Sequence, residues 1–252
     1  MAARAPLVVG NWKMHKTVHE TVTFIEAMRA LPLPSEPVDA VICPPFTALA
    51  AARDALRDCG VGLGAQNMSW AVEGAFTGEI SPRMLVELGV RWVVLGHSER
   101  RAMFGEMDER INEKVRTALE FGITPIVAVG ETGAEHELGI TRDRVHEQVA
   151  AAFAGISEAQ RAQCVVAYEP IWAIGSGTPD TPESADAVMG FIRGCTPGLE
   201  DVRILYGGSV KPDNLAGYVA KPNIDGGLVG GASLDPTSFV ALLDAACKGV
   251  AA

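Results

Sequence analysis

Cationic residues are scarce in this chain of 252 residues: 21 Lys and Arg stand against 31 Asp and Glu, a formal net charge of -10. That balance excludes a general nucleic-acid or membrane-surface role, since either needs a basic footprint. An anion would have to be held by local cations or by backbone N–H groups. Cysteine is sparse as well. The five thiols (Cys43, Cys59, Cys164, Cys195 and Cys247) are scattered, with no CxxC pair and no metal-ligand spacing. Reduced thiols in a cytoplasmic protein are the plain expectation. No HExxH is present, so no metal site is expected. With four Trp and three Tyr, aromatic platforms for sugar stacking are few. No apolar run approaches the roughly 18 residues of a membrane helix. The short apolar stretch in "MAARAPLVVGNWK" is too brief for a secretory signal.

What the chain has instead is a recurring alternation. No Gly/Ser-rich linker or low-complexity block divides it, so residues 1–252 read as one domain. Apolar runs rich in β-branched residues recur at 6–11, 38–43, 61–66, 91–97, 124–131, 165–169, 202–208 and 226–231. Near-continuous apolar strands suit a parallel sheet covered on both faces. Helix-period segments lie between them. A capping box at Thr17–Glu20 precedes Val18, Val22, Ile25 and Met28, and Met107, Ile111, Val115 and Leu119 make a second stripe. Ser81-Pro82, Thr181-Pro182 and Asp235-Pro236 are start signals, an N-cap followed by proline, the last leading into Phe239, Leu242, Leu243 and Ala246. Eight strands alternating with helices over about 250 residues predict an α/β fold, a single (β/α)8 barrel. The competing doubly wound sheet lacks its GxGxxG after the first strand.

Such barrels carry their reactive groups at the C-terminal ends of the strands. That rule selects Asn11 and Lys13, Gln66, His97 and Glu99, Glu131 and Glu169, together with the glycine pairs of "YGGSV" (206–210) and "VGGAS" (229–233). Glu169 reads either as a structural carboxylate or as a general base. The oily stretch "PIWAIGSG" behind it favours the base, because a cover of Ile171, Trp172 and Ile174 would strip it of water and raise its basicity. His97 is either a hydrogen-bonded core residue or a neutral donor held so by the start of the helix opening with "SERR". Glu99 could pair with Arg100, Arg101 or Lys13. Lys13 reads as a surface lysine or as the local cation for an anionic substrate. The glycine pairs read as tight turns or as a phosphate cradle.

Taken together, "GNWKMH" (10–15), "QNMSWAVEGAFTGEIS" (66–81), "VLGHSERR" (94–101), "AYEPIWAIGSG" (167–177) and "LYGGSVKPDN" (205–214) resemble the triosephosphate isomerase family over nearly the whole chain. The resemblance implies a homodimeric barrel that interconverts dihydroxyacetone phosphate and D-glyceraldehyde 3-phosphate through an enediolate, without metal or cofactor. On that resemblance Glu169 is the base, His97 the neutral electrophile, Lys13 the electrostatic stabiliser, Asn11 a substrate hydrogen-bonder and Glu99 the carboxylate beside the lysine. Gly175, Ser209, Gly230 and Gly231 match the phosphate-binding N–H groups, and Thr77 the residue that reaches a partner subunit.

The chain departs from the family pattern in three places. Ala128 stands where cysteine is usual, Ser176 where threonine is usual, and Thr178-Pro179-Asp180 replaces a common Lys-Thr-Ala, a change that implies a stiffer hinge. The rival readings are a phosphate-binding barrel that forms a Schiff base, a retaining glycosidase using Glu99 and Glu169, and a noncatalytic binding protein on the same fold.

Overall fold

Eight of the apolar runs pair side by side, all parallel, and close on themselves: β1 (Leu7–Asn11), β2 (Asp39–Cys43), β3 (Val61–Ala65), β4 (Trp92–Leu95), β5 (Thr124–Val129), β6 (Val165–Tyr168), β7 (Arg203–Tyr206) and β8 (Gly226–Val229) form a barrel in sequence order, with β8 against β1. The computed structural model describes residues 4–35, 37–174 and 179–250. The connections carry helices α1 (Val18–Arg29), α2 (Leu49–Ala55), α3 (Pro82–Glu87), α4 (Ser98–Phe104), α5 (Asp108–Glu120), α6 (Gly133–Glu137), α7 (Thr141–Ala152), α8 (Glu158–Arg161), α9 (Pro182–Gly194), α10 (Leu215–Val219) and α11 (Pro236–Val250). This is the expected (β/α)8 barrel.

The strands are apolar throughout because both faces are buried, and the pleat divides them between two cores. Leu7, Val9, Val41, Val94, Ile126, Val165, Ala167, Leu205 and Leu228 fill the barrel interior. The alternate residues, among them Val8, Ile42, Val93, Val127, Val166 and Ile204, pack outward against Phe24, Ile25, Ile111, Val149, Ile192 and Phe239 of the helices. Each such side chain, fully buried, contributes about 1.5–3 kcal/mol relative to exposure. A polar residue in mid-strand would therefore be costly, whereas one at the strand end is tolerated.

The helix starts follow their caps. Thr17 and Glu20 form the capping box, Ser81 accepts from Met84 N–H and Thr181 from Ser184 N–H, and Asp235 Oδ1 accepts from Ser238 N–H. The buried stripes sit slightly off the expected phase. In α1 the buried residues are Thr21, Phe24, Ile25 and Met28 while Val18 is exposed, and Met107 is the exposed N-cap of α5. At these two starts the apolar residue faces solvent and takes no part in the packing.

Candidate active site

The pleat that fills the barrel also aims the site. Counting in twos from interior residues, Val9 leads to Asn11, Ala167 to Glu169, Leu205 to Gly207 and Leu228 to Gly230, all at the C-terminal rim. His97 has the opposite parity. It is brought inward by Gly96, whose φ of 71° is left-handed and where a Cβ would stand 2.9 Å from Ile111 Cδ1. Arg101 fixes that turn, donating from Nε to the Gly96 carbonyl (2.7 Å) and from Nη2 to the Ala128 carbonyl (3.1 Å). These groups line a cavity of about 710 Å³ that contains Asn11, Lys13, His97, Glu169, Ser209, Gly230 and Gly231.

Glu169 is 2% exposed. Its Oε2 accepts from Ser98 N–H at 2.9 Å, and its Oε1 lies 3.0 Å from His97 Nε2. His97 is the N-cap of α4, and its Nδ1 accepts from Glu99 N–H at 3.2 Å. A ring nitrogen that accepts carries no proton, so the imidazole is neutral and Nε2–H donates to Glu169. Burial works to raise the Glu169 carboxyl, as the sequence suggests. The charge and hydrogen bond of His97 and the Ser98 N–H outweigh it, and the carboxyl lies below its ordinary value. For His97, burial works to lower the ring's proton affinity, but the Glu169 carboxylate wins and the ring lies above its ordinary value. The two groups titrate as a pair.

Lys13 adopts a left-handed φ of 51°, an uncommon conformation for a side-chain-bearing residue and a mark of local strain. Three contacts hold it there: its N–H donates to Asn11 Oδ1 (3.1 Å), its carbonyl accepts from Gln66 Nε2 (2.8 Å), and its Nζ pairs with Glu99 Oε1 (2.7 Å). Of the three partners open to Glu99, the structure selects Lys13. Gln66 also reaches the Cys43 carbonyl (2.9 Å). It thus ties the ends of β1, β2 and β3 together, a role that its strand-end position hinted at without specifying.

The oily segment behind Glu169 divides in an unexpected way. Ile174 lines the cavity. Trp172 does not line it: its Nε1 donates to Glu131 Oε1 at 2.8 Å, and the ring stacks on His136 at 4.4 Å. Glu131 is fully buried, also accepts from Tyr168 Oη (3.2 Å) and lies 3.5 Å from His136 Nδ1. Burial and Glu131 push the Tyr168 phenol up, which keeps it a donor. Glu131, a strand-end candidate, is therefore the anchor of this segment and does not line the cavity. Gly175, with Ser176 and Thr178, lies outside the described residues.

Gly207 matters for a reason its glycine pair did not reveal. A Cβ there would stand 2.9 Å from Glu169 Cγ and 3.1 Å from the Tyr168 carbonyl oxygen. At Gly231 a Cβ would meet nothing within 4 Å, and at Gly230 it would meet Lys13 Cε at 3.4 Å, so backbone is presented to open cavity. Gly231 opens a 3-10 turn, Gly231–Ser233, whose first N–H groups have no acceptor within the turn. Thr77 is exposed in the segment between β3 and α3 and does not line this cavity. Among the described residues no three His, Cys, Asp or Glu side chains are grouped so as to hold a metal ion, and no helix is long and apolar enough to cross a membrane.

The chain was compared with known proteins. A family model described as triosephosphate isomerase matches residues 6–246. The chain is 51% identical over 247 residues to a triosephosphate isomerase of Solibacter usitatus, covering 96% of this chain and 99% of the relative. It is 49% identical over 246 residues to that of Carboxydothermus hydrogenoformans (95% and 98%), and 49% identical over 251 residues to that of Symbiobacterium thermophilum (97% and 98%).

Proposed function

The chain belongs to the triosephosphate isomerase family, and we propose that Glu169 is the base with which it interconverts D-glyceraldehyde 3-phosphate and dihydroxyacetone phosphate, a step of glycolysis and gluconeogenesis. One observation carries the assignment: a buried carboxylate shares a 3.0 Å contact with a neutral imidazole donor inside a cavity that also holds a lysine. Base and donor occupy each other. The substrate carbonyl oxygen displaces the carboxylate oxygen at His97 Nε2, which frees Glu169 to face the neighbouring C–H.

A proton beside a carbonyl is weakly acidic, so the charge left on oxygen must be stabilised where it develops. Glu169 takes the proton from one carbon and returns it to the next. Meanwhile His97 Nε2–H and the Lys13 ammonium meet the enediolate oxygens, at roughly 3–4 kcal/mol for a preorganised donor. A carboxylate base beside a neutral imidazole is the arrangement long attributed to this enzyme. Asn11 hydrogen-bonds substrate, and Glu99 keeps Lys13 in place. The N–H groups of Ser209, Gly230 and Gly231 cradle the phosphate, with Gly175 assigned to the same role by resemblance alone. Proton transfer of this kind needs no metal or cofactor. We read residues 1–252 as one domain of a cytoplasmic homodimer. The free thiols of Cys43, Cys59, Cys164 and Cys195 support the compartment.

The test is isomerase activity of Glu169→Gln, which keeps size and burial but cannot accept the proton. We expect kcat to fall by at least about 10²–10⁴-fold, the range of a general base, with unfolding unchanged. Turnover within tenfold of the parent enzyme would sink the assignment.

A further inference from the structure

A second lysine lines the same cavity. Lys211 stands in the turn after β7, two residues past Ser209, and lines the cavity together with Gly230 and Gly231, and its side chain is exposed. Lys13 and Lys211 are the only lysines or arginines lining the cavity among the described residues, and they differ in one respect. Lys13 is neutralised by Glu99 at 2.7 Å, whereas no carboxylate lies within ion-pair distance of the Lys211 ammonium among the described residues. The Lys211 backbone is fixed independently of its side chain. Its N–H donates to Asn214 Oδ1 (2.8 Å), its carbonyl accepts from the N–H groups of Asn214 and Leu215, and Asn214 Nδ2 holds the Ser209 carbonyl (3.0 Å). The turn that sets Ser209 thus presents an uncompensated cation at the rim.

We propose that Lys211 is the capture cation for the phosphorylated substrate, drawing the dianion to the rim of the cavity and handing it to the backbone cradle. The inference rests on the phosphate reading of that cradle. A protein of net charge -10 repels a dianion at long range. The cavity supplies Glu169 and Asp213 as further negative groups, so an unpaired positive charge at the rim offsets part of the local negative field. Because the phosphate keeps its charge from encounter to transition state, Lys211 acts on the two alike. Its loss should appear in kcat/KM and leave kcat nearly unchanged. The effect should also weaken with salt, since the screening length falls from about 30 Å at 0.01 M to about 3 Å at 1 M ionic strength.

The experiment compares the parent enzyme with Lys211→Gln, Lys211→Arg and Asp213→Asn across that range of ionic strength, with inorganic phosphate as a competing anion. We expect Lys211→Gln to lower kcat/KM and phosphate affinity by roughly three- to tenfold at low salt, and to converge on the parent at high salt. Lys211→Arg should retain the parent behaviour, and Asp213→Asn should shift kcat/KM upward at low salt. A Lys211→Gln enzyme equal to the parent at low salt, or a deficit undiminished at high salt, overturns the proposal. Failure of phosphate to compete in the parent enzyme would instead overturn the cradle.

Discussion

The His97 imidazole is poised between two hydrogen bonds that only its neutral form can make together, one accepted at Nδ1 and one donated at Nε2. A second proton would go to Nδ1, break the bond from Glu99 N–H and leave an imidazolium locked to the base. Since His97 is raised and Glu169 lowered from their ordinary values, the ring takes up that proton well before the carboxylate takes one. We therefore expect kcat/KM to fall as pH drops through a midpoint above the ordinary histidine value of about 6.5. The phosphate ester itself gains a proton near pH 6, so the comparison with His97→Gln is decisive. The variant should keep only the substrate's limb, and a profile unchanged in shape would refute the assignment. At this scale the sequence is informative for side chains that act through their own chemistry: Glu169, His97 and Lys13 are legible as charged or polar groups ending apolar strands. Gln66 and Gly207 are marked only by their strand-end position, which leaves their roles open, and Ser98 only by its place in a helix start. They act on main chain or through the absence of a side chain, and such contacts leave no pattern in composition or spacing.

At the scale of elements, the end of the segment after β6 is pinned more firmly than its sequence suggests. Asp180 donates its N–H to Tyr206 Oη (3.1 Å), its carbonyl accepts from Tyr218 Oη, and the two tyrosine rings stack at 4.2 Å. The carboxylate is sheltered from water, Asp180 being 7% exposed. Oδ1 accepts from Thr181 N–H at 2.8 Å, while Oδ2 has no hydrogen-bond partner among the described residues. Burial raises this carboxyl above its ordinary value, against the opposing pull of Ser184, the Thr181 N–H and His136. A raised folded value means that the folded state holds the proton more readily than the unfolded chain. The stability linked to this group is therefore full below about pH 4 and lost as pH rises through the folded value. Asp180→Asn should stabilise the protein at pH 7 by about 1 kcal/mol, as expected on relieving a buried unpaired charge, with the gain shrinking as pH falls toward 4. Urea unfolding at several pH values measures it, and a variant no more stable than the parent at pH 7 would refute the account. Element starts were legible because capping is local chemistry, as Thr17, Ser81, Thr181 and Asp235 illustrate. The division of labour between Ile174 and Trp172 was not, because it depends on Glu131 and His136, 41 and 36 positions before Trp172 in the chain.

At the scale of the whole molecule, the barrel closes every strand edge, yet one flank keeps apolar side chains in water. Met14, after β1, is 95% exposed; Phe76 and Met84, between β3 and β4, are 41% and 52% exposed; Met103 and Phe104, after β4, are 74% and 69% exposed. The last four follow the adjacent strands β3 and β4, and Met14 follows β1, two strands from β3. We take this exposed apolar surface as the face that a second copy covers. Thr77 stands within it, on the exposed segment beside Phe76. We expect the protein to sediment as a dimer. Thr77→Arg, which brings a bulky charge into the contact without touching the barrel, should shift it toward monomer. The rim around Lys13 and His97 lies beside this surface, so the monomer should lose at least about tenfold in kcat/KM while keeping its circular dichroism. That loss corresponds to about 1.4 kcal/mol of transition-state stabilisation. A Thr77→Arg protein that is monomeric and fully active would show that each barrel completes its own site, and would remove any catalytic reason for the association.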